Sequence, residues 1–119
     1  MNFNEGKPIY LQIADRIMDD VISGAYAPGA RIESVREFAG RVGVNANTVM
    51  RTYTWLQERG IIFNKRGIGY FIADDAPEQA NTLLRSYFFE REAPYFLERL
   101  ARFGITPAEL SSRYAAFLG

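Results

Sequence analysis

The side chains with the clearest chemical purpose are polar ones at the start of a predicted helix, in the segment VNANTVMR. Asn47, Met50, Arg51 and Thr54 recur at the spacing that places side chains on one face of a helix. Asparagine can donate to and accept from the edge of adenine, and arginine can donate two hydrogen bonds to guanine. Free backbone N–H groups at a helix N-terminus can also bind a phosphate. This face therefore predicts recognition of double-stranded DNA.

Asn45 has a structural purpose of its own. An asparagine directly before the first helical residue, here Ala46, can accept a hydrogen bond from a backbone N–H group of the first turn. A polar face on an isolated helix would equally fit a solvated surface. The interpretation therefore depends on the elements around it.

Composition limits the other chemistry that the chain can perform. Its 119 residues contain no histidine and no cysteine, which removes the usual general base, thiolate metal ligands and disulfides. An enzyme would need paired carboxylates, and the neighbours Asp19-Asp20 and Asp74-Asp75 are expected to be solvated. We expect no catalysis, no cofactor and no metal. The N-terminus lacks a secretory signal and no apolar run approaches about 20 residues, so we expect a cytoplasmic protein with no membrane partner.

Two predicted helices flank the turn before Asn45. Ser34 and Glu37 form a capping box that begins a short amphipathic helix, and Gly43 ends it. The next helix runs from about Ala46 to Arg59. Its inward residues are Val49, Thr52, Tyr53 and Leu56. Two helices joined by about four residues that include glycine form a helix-turn-helix.

The elements before and after this pair complete a larger pattern. Apolar residues at helical spacing predict a helix over 8–23, followed by a very short extended segment at Arg31-Ile32. The β-prone runs 61–63 and 70–73 flank the basic, glycine-containing turn NKRGIG and predict a hairpin. The fold class is thus mainly α with a small β-hairpin. A recognition helix in the major groove and a wing on the flanking backbone or minor groove are typical of a winged helix.

Charge is distributed unevenly along the chain. The whole sequence carries 14 basic and 14 acidic residues. Residues 31–69 hold seven lysines and arginines against three glutamates, a local excess of 7 − 3 = +4. A local basic excess is expected to favour a polyanionic partner such as DNA.

The chain divides by pattern into a winged helix over 1–75 and a helical tail over 76–119. The tail holds a long helix to about Arg102, with a kink or break expected at Pro94, and a short helix that a second capping box opens at Thr106. Its apolar surface is wider than one helix needs, which predicts a homodimer that pairs the same surface on both copies. The predicted dimerisation residues are Leu84, Tyr87, Phe88, Tyr95, Phe96, Leu100, Phe103 and Phe117. Packing of the tail back onto its own winged helix is the alternative.

The sequence resembles the GntR family of bacterial transcription regulators. The resemblance covers about residues 8–73 and is carried by the segments PIYLQIADRI, GAYAPGARIESVREFAGRVGV, NTVMRTYTWLQERGII and KRGIGYFI. The tail resembles the YtrA subfamily, whose short C-terminal part serves mainly in dimerisation. The resemblance implies a sequence-specific, dimeric repressor that binds an inverted-repeat operator in double-stranded DNA.

The resemblance also implies which residues contact DNA. They are the start of the first helix of the pair, the polar opening of the recognition helix and the glycine-rich wing. In this chain those positions are Ser34, Arg36, Asn45, Ala46, Asn47, Thr48, Met50, Arg51, Lys65, Arg66, Gly67 and Gly69.

Three departures from the family pattern affect the expected operator. Ile32-Glu33-Ser34 stands where leucine-proline-serine is usual, and Ala46 and Met50 occupy helix positions that are often arginine. Loss of two potential guanine readers predicts a different site, richer in A·T through Asn47 and an apolar contact from Met50 to a thymine methyl.

Two other functions fit the same elements. A winged helix can serve as a protein–protein interaction module, which predicts binding with a weak salt dependence, whereas DNA binding predicts a steep one. A regulator gated by a small-molecule effector would need an aromatic pocket at the dimer seam.

Overall fold

The computed structural model describes residues 6–119. The stretch 1–5, part of the N-terminus in which no secretory signal is predicted, lies outside the described residues. The described part is mainly helical with a small antiparallel sheet, as predicted. Its elements are α1 (Ile9–Ser23), β1 (Arg31–Ile32), α2 (Val35–Val42), α3 (Ala46–Glu58), β2 (Ile62–Lys65), β3 (Gly69–Ile72), α4 (Ala76–Tyr87), a π-helical turn (Phe88–Glu92), α5 (Ala93–Arg102) and α6 (Pro107–Leu118).

The helix-turn-helix begins and ends where local side-chain chemistry requires. The Ser34 hydroxyl accepts from the Glu37 N–H at 3.1 Å, and the Glu37 carboxylate accepts from the Ser34 N–H at 3.0 Å, which confirms the capping box. Gly43 ends α2 in the left-handed conformation, with φ of 73°. Asn45 then caps α3 by accepting from the Asn47 N–H at 2.7 Å. The prediction placed the end of α3 at Arg59, one residue past its last helical residue, Glu58.

The predicted hairpin belongs to a three-stranded sheet with strand order β1-β3-β2. β2 and β3 pair with Ile62 opposite Ile72 and Lys65 opposite Gly69, so β2 extends further toward the tip than predicted. The extended segment at Arg31-Ile32 is present, and it pairs with β3 by placing Arg31 opposite Phe71. That pairing was not predicted, because two residues show no alternation from which a partner strand could be inferred.

One hydrophobic core joins α1, α2, α3 and the inner face of the sheet. The four predicted inward residues of α3 are all fully buried. The Tyr53 hydroxyl donates to the Glu33 carbonyl at 2.7 Å, and the Thr52 hydroxyl lies 2.8 Å from the Tyr10 carbonyl. Throughout residues 6–119, each buried side-chain nitrogen or oxygen has a hydrogen-bond partner. The core therefore holds α3 in place without leaving a buried polar side chain unpaired.

The long C-terminal helical segment is irregular just ahead of Pro94, where the kink or break was predicted. α4 gives way to the π-helical turn 88–92, and α5 starts with Pro94 as its second residue. Proline cannot donate a backbone hydrogen bond and its ring crowds the preceding turn, which accounts for the widened turn ahead of it. At α6 the Thr106 hydroxyl accepts from the Glu109 N–H at 3.2 Å, while the Glu109 carboxylate lies 3.5 Å from Arg113.

The chain forms two compact units, one through Leu84 and the other from Arg85 to Gly119. This division falls later than the predicted domain boundary after Asp75. The physical reason is that Ala76 and Ala80 of α4 are fully buried in the core of the first unit, and Leu84 packs partly against it. The first half of α4 is therefore part of the unit that holds the winged helix.

Candidate nucleic-acid interface

The predicted polar stripe of α3 lies on the surface. Asn47, Met50, Arg51 and Thr54 are all exposed, on the side of the helix away from its buried residues. Asn45 and Ala46 are exposed at the start of the helix, and Thr48 is half-buried. The exposure that base reading requires is thus present at each position of the stripe.

Part of the hydrogen-bonding capacity at the start of α3 is used within the protein. Asn45 accepts from the Asn47 N–H with its side chain and from the Thr48 N–H with its carbonyl, at 2.7 and 3.1 Å. Among the first three helical residues, the N–H groups of Asn47 and Thr48 are thus engaged, and that of Ala46 could still bind a phosphate. The side chains of Asn47 and Arg51 consequently carry more of the expected recognition than the helix terminus does.

Ion pairs engage two of the seven basic residues of 31–69. Arg31 pairs with Glu37 at 3.7 Å and Arg41 with Glu33 at 2.8 Å. The other five cations form no ion pair with residues 6–119, and all are exposed. One of them is Arg59, whose guanidinium lies over the Trp55 ring at 4.1 Å. The remaining four are the cations that were predicted to contact DNA, and they lie on α2, on α3 and at the wing: Arg36, Arg51, Lys65 and Arg66.

The wing tip is a tight turn from Arg66 to Ile68. The Ile68 N–H donates to the Lys65 carbonyl at 2.9 Å, and Gly67 has a φ of 78° with open space around it, so turn geometry requires this glycine. The Lys65 ammonium lies 4.6 Å from the centre of the Phe71 ring. Ile68 is 64% exposed at the tip, although sequence reasoning did not select it.

Gly69 has a use that the sequence did not suggest. A Cβ atom at this position would lie 3.0 Å from Nε of Arg31, and the residue has a φ of 143°. The positive φ favours glycine here, and a Cβ atom would in addition displace the Arg31 side chain, whatever approaches the wing from outside.

Ser34 and Arg36 have different functions at the start of α2. The Ser34 hydroxyl is engaged by the Glu37 N–H, so it fixes the helix terminus. Hydrogen bonds from the Ser34 backbone and side chain lower the pKa of Glu37. Arg36 is the exposed second residue of α2 and extends from this fixed terminus.

Glu33, which stands at the usual proline position of the family pattern, is the centre of a hydrogen-bonded cluster. Its carboxylate accepts from the Tyr26 hydroxyl at 3.1 Å and from Arg41 at 2.8 Å. Burial, and secondly the charge of Glu33, raises the pKa of Tyr26 to about 12. Because the Glu33 carbonyl also accepts from Tyr53, the cluster holds the link between β1 and α2 by contacts instead of by a proline ring. Sequence reasoning noted the departure but not this cluster; the arginine eight residues later was the available signal.

In the second unit, most of the predicted dimerisation residues are open to solvent. Phe88, Phe96, Phe103 and Phe117 are exposed, the last two at 62% and 84%, while Tyr87, Tyr95 and Leu100 are half-buried. Leu84, the eighth predicted residue, is half-buried and belongs to the first unit. A cleft lined by Phe96, Arg99, Leu100, Phe103 and Ile105 uses three of the same side chains. An effector in this cleft would therefore compete with a partner helix.

Two further features bear on partners. Among residues 6–119, no helix combines the length and the apolar character that a membrane crossing demands. The same residues contain no group of three acidic side chains placed to hold a metal ion.

A helix-turn-helix, a small antiparallel sheet and a basic hairpin tip on one core define a winged-helix DNA-binding protein. The chain belongs to the gntR family of bacterial regulatory proteins, whose family profile matches residues 9–72. It is 36% identical over 108 residues to the HTH-type transcriptional regulator YhcF of Bacillus subtilis, covering 91% of this chain and 88% of that protein. It is 39% identical over 69 residues to the transcriptional repressor YtrA of the same organism, covering 58% of this chain and 53% of that protein.

Solved structures show the same fold. A GntR-family regulator from Bacteroides thetaiotaomicron superposes with a TM-score of 0.81 at 45% identity, covering 93% of this chain and 96% of that chain. The DNA-binding domain of AraR, in complex with its operator ORX1, superposes with a TM-score of 0.53 at 26% identity, covering 56% of this chain and 80% of that chain. The chain is a DNA-binding transcription regulator of the GntR family. Over part of its length it is similar to YtrA.

Proposed function

We propose that the chain acts as a homodimeric repressor that binds an inverted-repeat operator and blocks transcription by occupying a promoter. The repressor assignment is supported by the similarity to YtrA, which is named a repressor. A regulator of a bacterial chromosome would act in the cytoplasm.

The observation that carries the proposal is the match between exposed readers and unpaired cations. Asn47, Arg51 and Thr54 are exposed on one face of α3, and four of the five cations of 31–69 without an ion pair lie on α2, on this face of α3 and at the wing. In a winged helix, cations position the protein on phosphates, and the recognition helix supplies the base contacts. We assign Arg36, Lys65 and Arg66 to the backbone and Asn47 with Met50 to bases.

The exposed aromatic side chains of the second unit support the proposed dimer. Aromatic side chains as exposed as Phe103 and Phe117 cost free energy in water, and a second copy of the same surface would cover them. Two recognition helices related by a two-fold axis enter successive major grooves about 34 Å apart, which requires an inverted repeat.

The operator should be selected from random duplexes and then used to measure binding by the full chain. We expect an inverted repeat with A·T pairs where Asn47 and Met50 contact it, and a steep loss of affinity with salt. Enrichment of no symmetric sequence, or affinity that is nearly independent of salt, would contradict the proposal. The second result would favour a protein–protein interaction module.

Two matched pairs of variants test the residue assignments. Asn47→Ala should weaken operator binding by about 1–3 kcal/mol, whereas Gln57→Ala, an exposed polar residue at the other end of α3, should leave it unchanged. Arg36→Ala should weaken binding and reduce the salt slope by about one, whereas Arg59→Ala removes the same charge from a side chain that stacks on Trp55. Equal effects of the two arginine variants would mean that only net charge matters.

A further inference from the structure

Arg51, an exposed cation of the α3 stripe, rests on an aromatic ring from another helix. Its guanidinium carbon lies 4.0 Å from the centre of the ring of Tyr10. Tyr10 is the second residue of α1. Arg51 forms no ion pair with any residue of 6–119. Its one described electrostatic contact within the fold is this ring, so the ring determines where the guanidinium stands.

The backbone of Tyr10 is held by a second, independent contact. The backbone carbonyl of Tyr10 accepts from the hydroxyl of Thr52 at 2.8 Å, and Thr52 is fully buried. Thr52 directly follows Arg51 in α3. Adjacent residues of α3 thus contact the backbone and the ring of the same α1 residue. The start of α1 is therefore held against the second turn of the recognition helix.

Stacking leaves the donor atoms of arginine available. A guanidinium that lies over a ring directs its N–H groups outward in its own plane, and those donors match the fork of a guanine edge or a phosphate. An exposed arginine otherwise loses considerable rotamer freedom when it binds, so a side chain held in place beforehand binds more tightly.

We propose that Tyr10 is a positioning residue for DNA recognition, whose ring pre-orients Arg51 for a hydrogen-bond acceptor on the operator. This rests on the proposed function insofar as the α3 stripe must face the duplex. Tyr10 itself acts through Arg51 and makes no contact with DNA. At the sequence level Tyr10 belongs to the apolar face of α1, which hides this second use.

A double-mutant cycle in the full chain tests the coupling, with binding to the selected operator measured for Tyr10→Leu, Arg51→Met and the double variant. Tyr10→Leu should weaken binding about 2- to 5-fold, the change expected for losing an exposed cation–π contact. Arg51→Met should weaken it more. In the Arg51→Met background, Tyr10→Leu should have no further effect. The same loss from Tyr10→Leu in both backgrounds would overturn the inference, because it would show a general structural role.

Two aromatic variants cover the remaining explanations. Tyr10→Phe keeps the ring and should bind like the wild type; a loss equal to that of Tyr10→Leu would mean that the hydroxyl contacts DNA, which overturns a positioning role. Tyr10→Trp also keeps an aromatic face and should bind within about 2-fold of the wild type. It provides the test if Tyr10→Leu melts at a lower temperature, and a larger loss by a well-folded Tyr10→Trp protein would count against the inference.

The outcomes distinguish this inference from the proposed function. If the wild type selects no operator, the proposed function fails. If the wild type binds its operator but Arg51→Met binds equally well, Arg51 is outside the interface and only the inference about Tyr10 fails.

Discussion

The two compact units of the chain bury their apolar side chains to very different extents. In the unit that ends at Leu84, residues from α1, α2, α3, α4 and the sheet form one continuous core. Across Arg85–Gly119, all of which is described, Ala93 is the one buried residue. We therefore expect the first unit to fold alone. The second unit exposes apolar side chains that another surface would have to cover.

The difference arises from how many elements face one another. Each helix of the first unit has one apolar face, and those faces meet at a shared centre. In the second unit Phe96 and Phe117 remain exposed on short helices, and Phe103 is exposed directly after α5. Phe96 and Phe103 line one cleft, and a contiguous exposed apolar patch usually marks an interaction site. This difference supports the proposal that DNA recognition and dimerisation use separate parts of the chain.

Removal of the second unit should have the largest effect on operator binding. A chain that ends at Leu84 should stay folded, become monomeric and bind the inverted repeat roughly 10²- to 10⁴-fold more weakly, because two linked contacts become one. A chain that ends at Asp75 should also melt at a lower temperature, since it lacks the buried Ala76 and Ala80. Thermal melting, sedimentation and operator titration measure these effects. A dimer formed by the chain ending at Leu84 would refute the assignment of assembly to the second unit.

A single charge should break the assembly without touching the first unit. Phe103→Asp introduces a carboxylate at a position where the side chain is 62% exposed, so the variant should fold normally. If Phe103 is buried between two copies, the charge should weaken dimerisation by at least about 10-fold. Ile22→Asp makes the same change at an exposed apolar residue of α1 and should leave dimerisation unchanged. Sedimentation over a concentration series gives both constants. Similar values for the two variants would show that Phe103 is outside the interface.

The elements could be predicted from the sequence wherever their signals are local. The Ser34–Glu37 box, the glycine at 43 and the asparagine at 45 each specify a helix end through neighbouring backbone atoms, and all three are confirmed. The exposed stripe of α3 followed from helical spacing alone. These signals need no knowledge of what lies across the core.

Contacts between residues distant in sequence were not predicted. The pairing of β1 with β3, the Tyr26–Glu33–Arg41 cluster and the stack of Arg51 on Tyr10 each join elements whose relative placement no local pattern specifies. The later division of the chain has the same cause, since the burial of Ala80 depends on the partner elements of α4. Whether the predicted residues contact DNA or a second copy stays a prediction for the experiments above.

Alkaline pH should destabilise the first unit in a way that can be assigned to residues. Burial raises the pKa of Tyr53, and burial together with Glu33 raises that of Tyr26 to about 12. Below about pH 10, tyrosine is protonated in both folded and unfolded chains, so its contribution is complete. Above that pH the unfolded chain releases protons first, and the free energy of unfolding should fall as pH rises toward 12.

Denaturant unfolding at a series of pH values measures this loss. Tyr26→Phe removes one of the two titrations and should make the decline shallower than in the wild type, although it also removes the hydrogen bond to Glu33. A wild-type free energy of unfolding that stays constant from about pH 10 to 12 would contradict the burial of these hydroxyl groups.

The smallest effect compares the same helix cap in the two units. Ser34 and Thr106 each accept from the N–H of a glutamate three residues later, at 3.1 and 3.2 Å. Ser34→Ala should lower the free energy of global unfolding by about 1 kcal/mol, because α2 contributes Phe38 and Ala39 to the core and cannot fray independently. Thr106→Ala removes an equivalent bond from α6, which has no buried residue among its described positions. In the monomer, this end of α6 should fray locally. Hydrogen exchange of α6 should therefore accelerate while the main melting transition is unchanged. Equal shifts of the main transition in both variants would mean that α6 unfolds together with the core, and the contrast between a self-contained unit and one awaiting a partner would be lost.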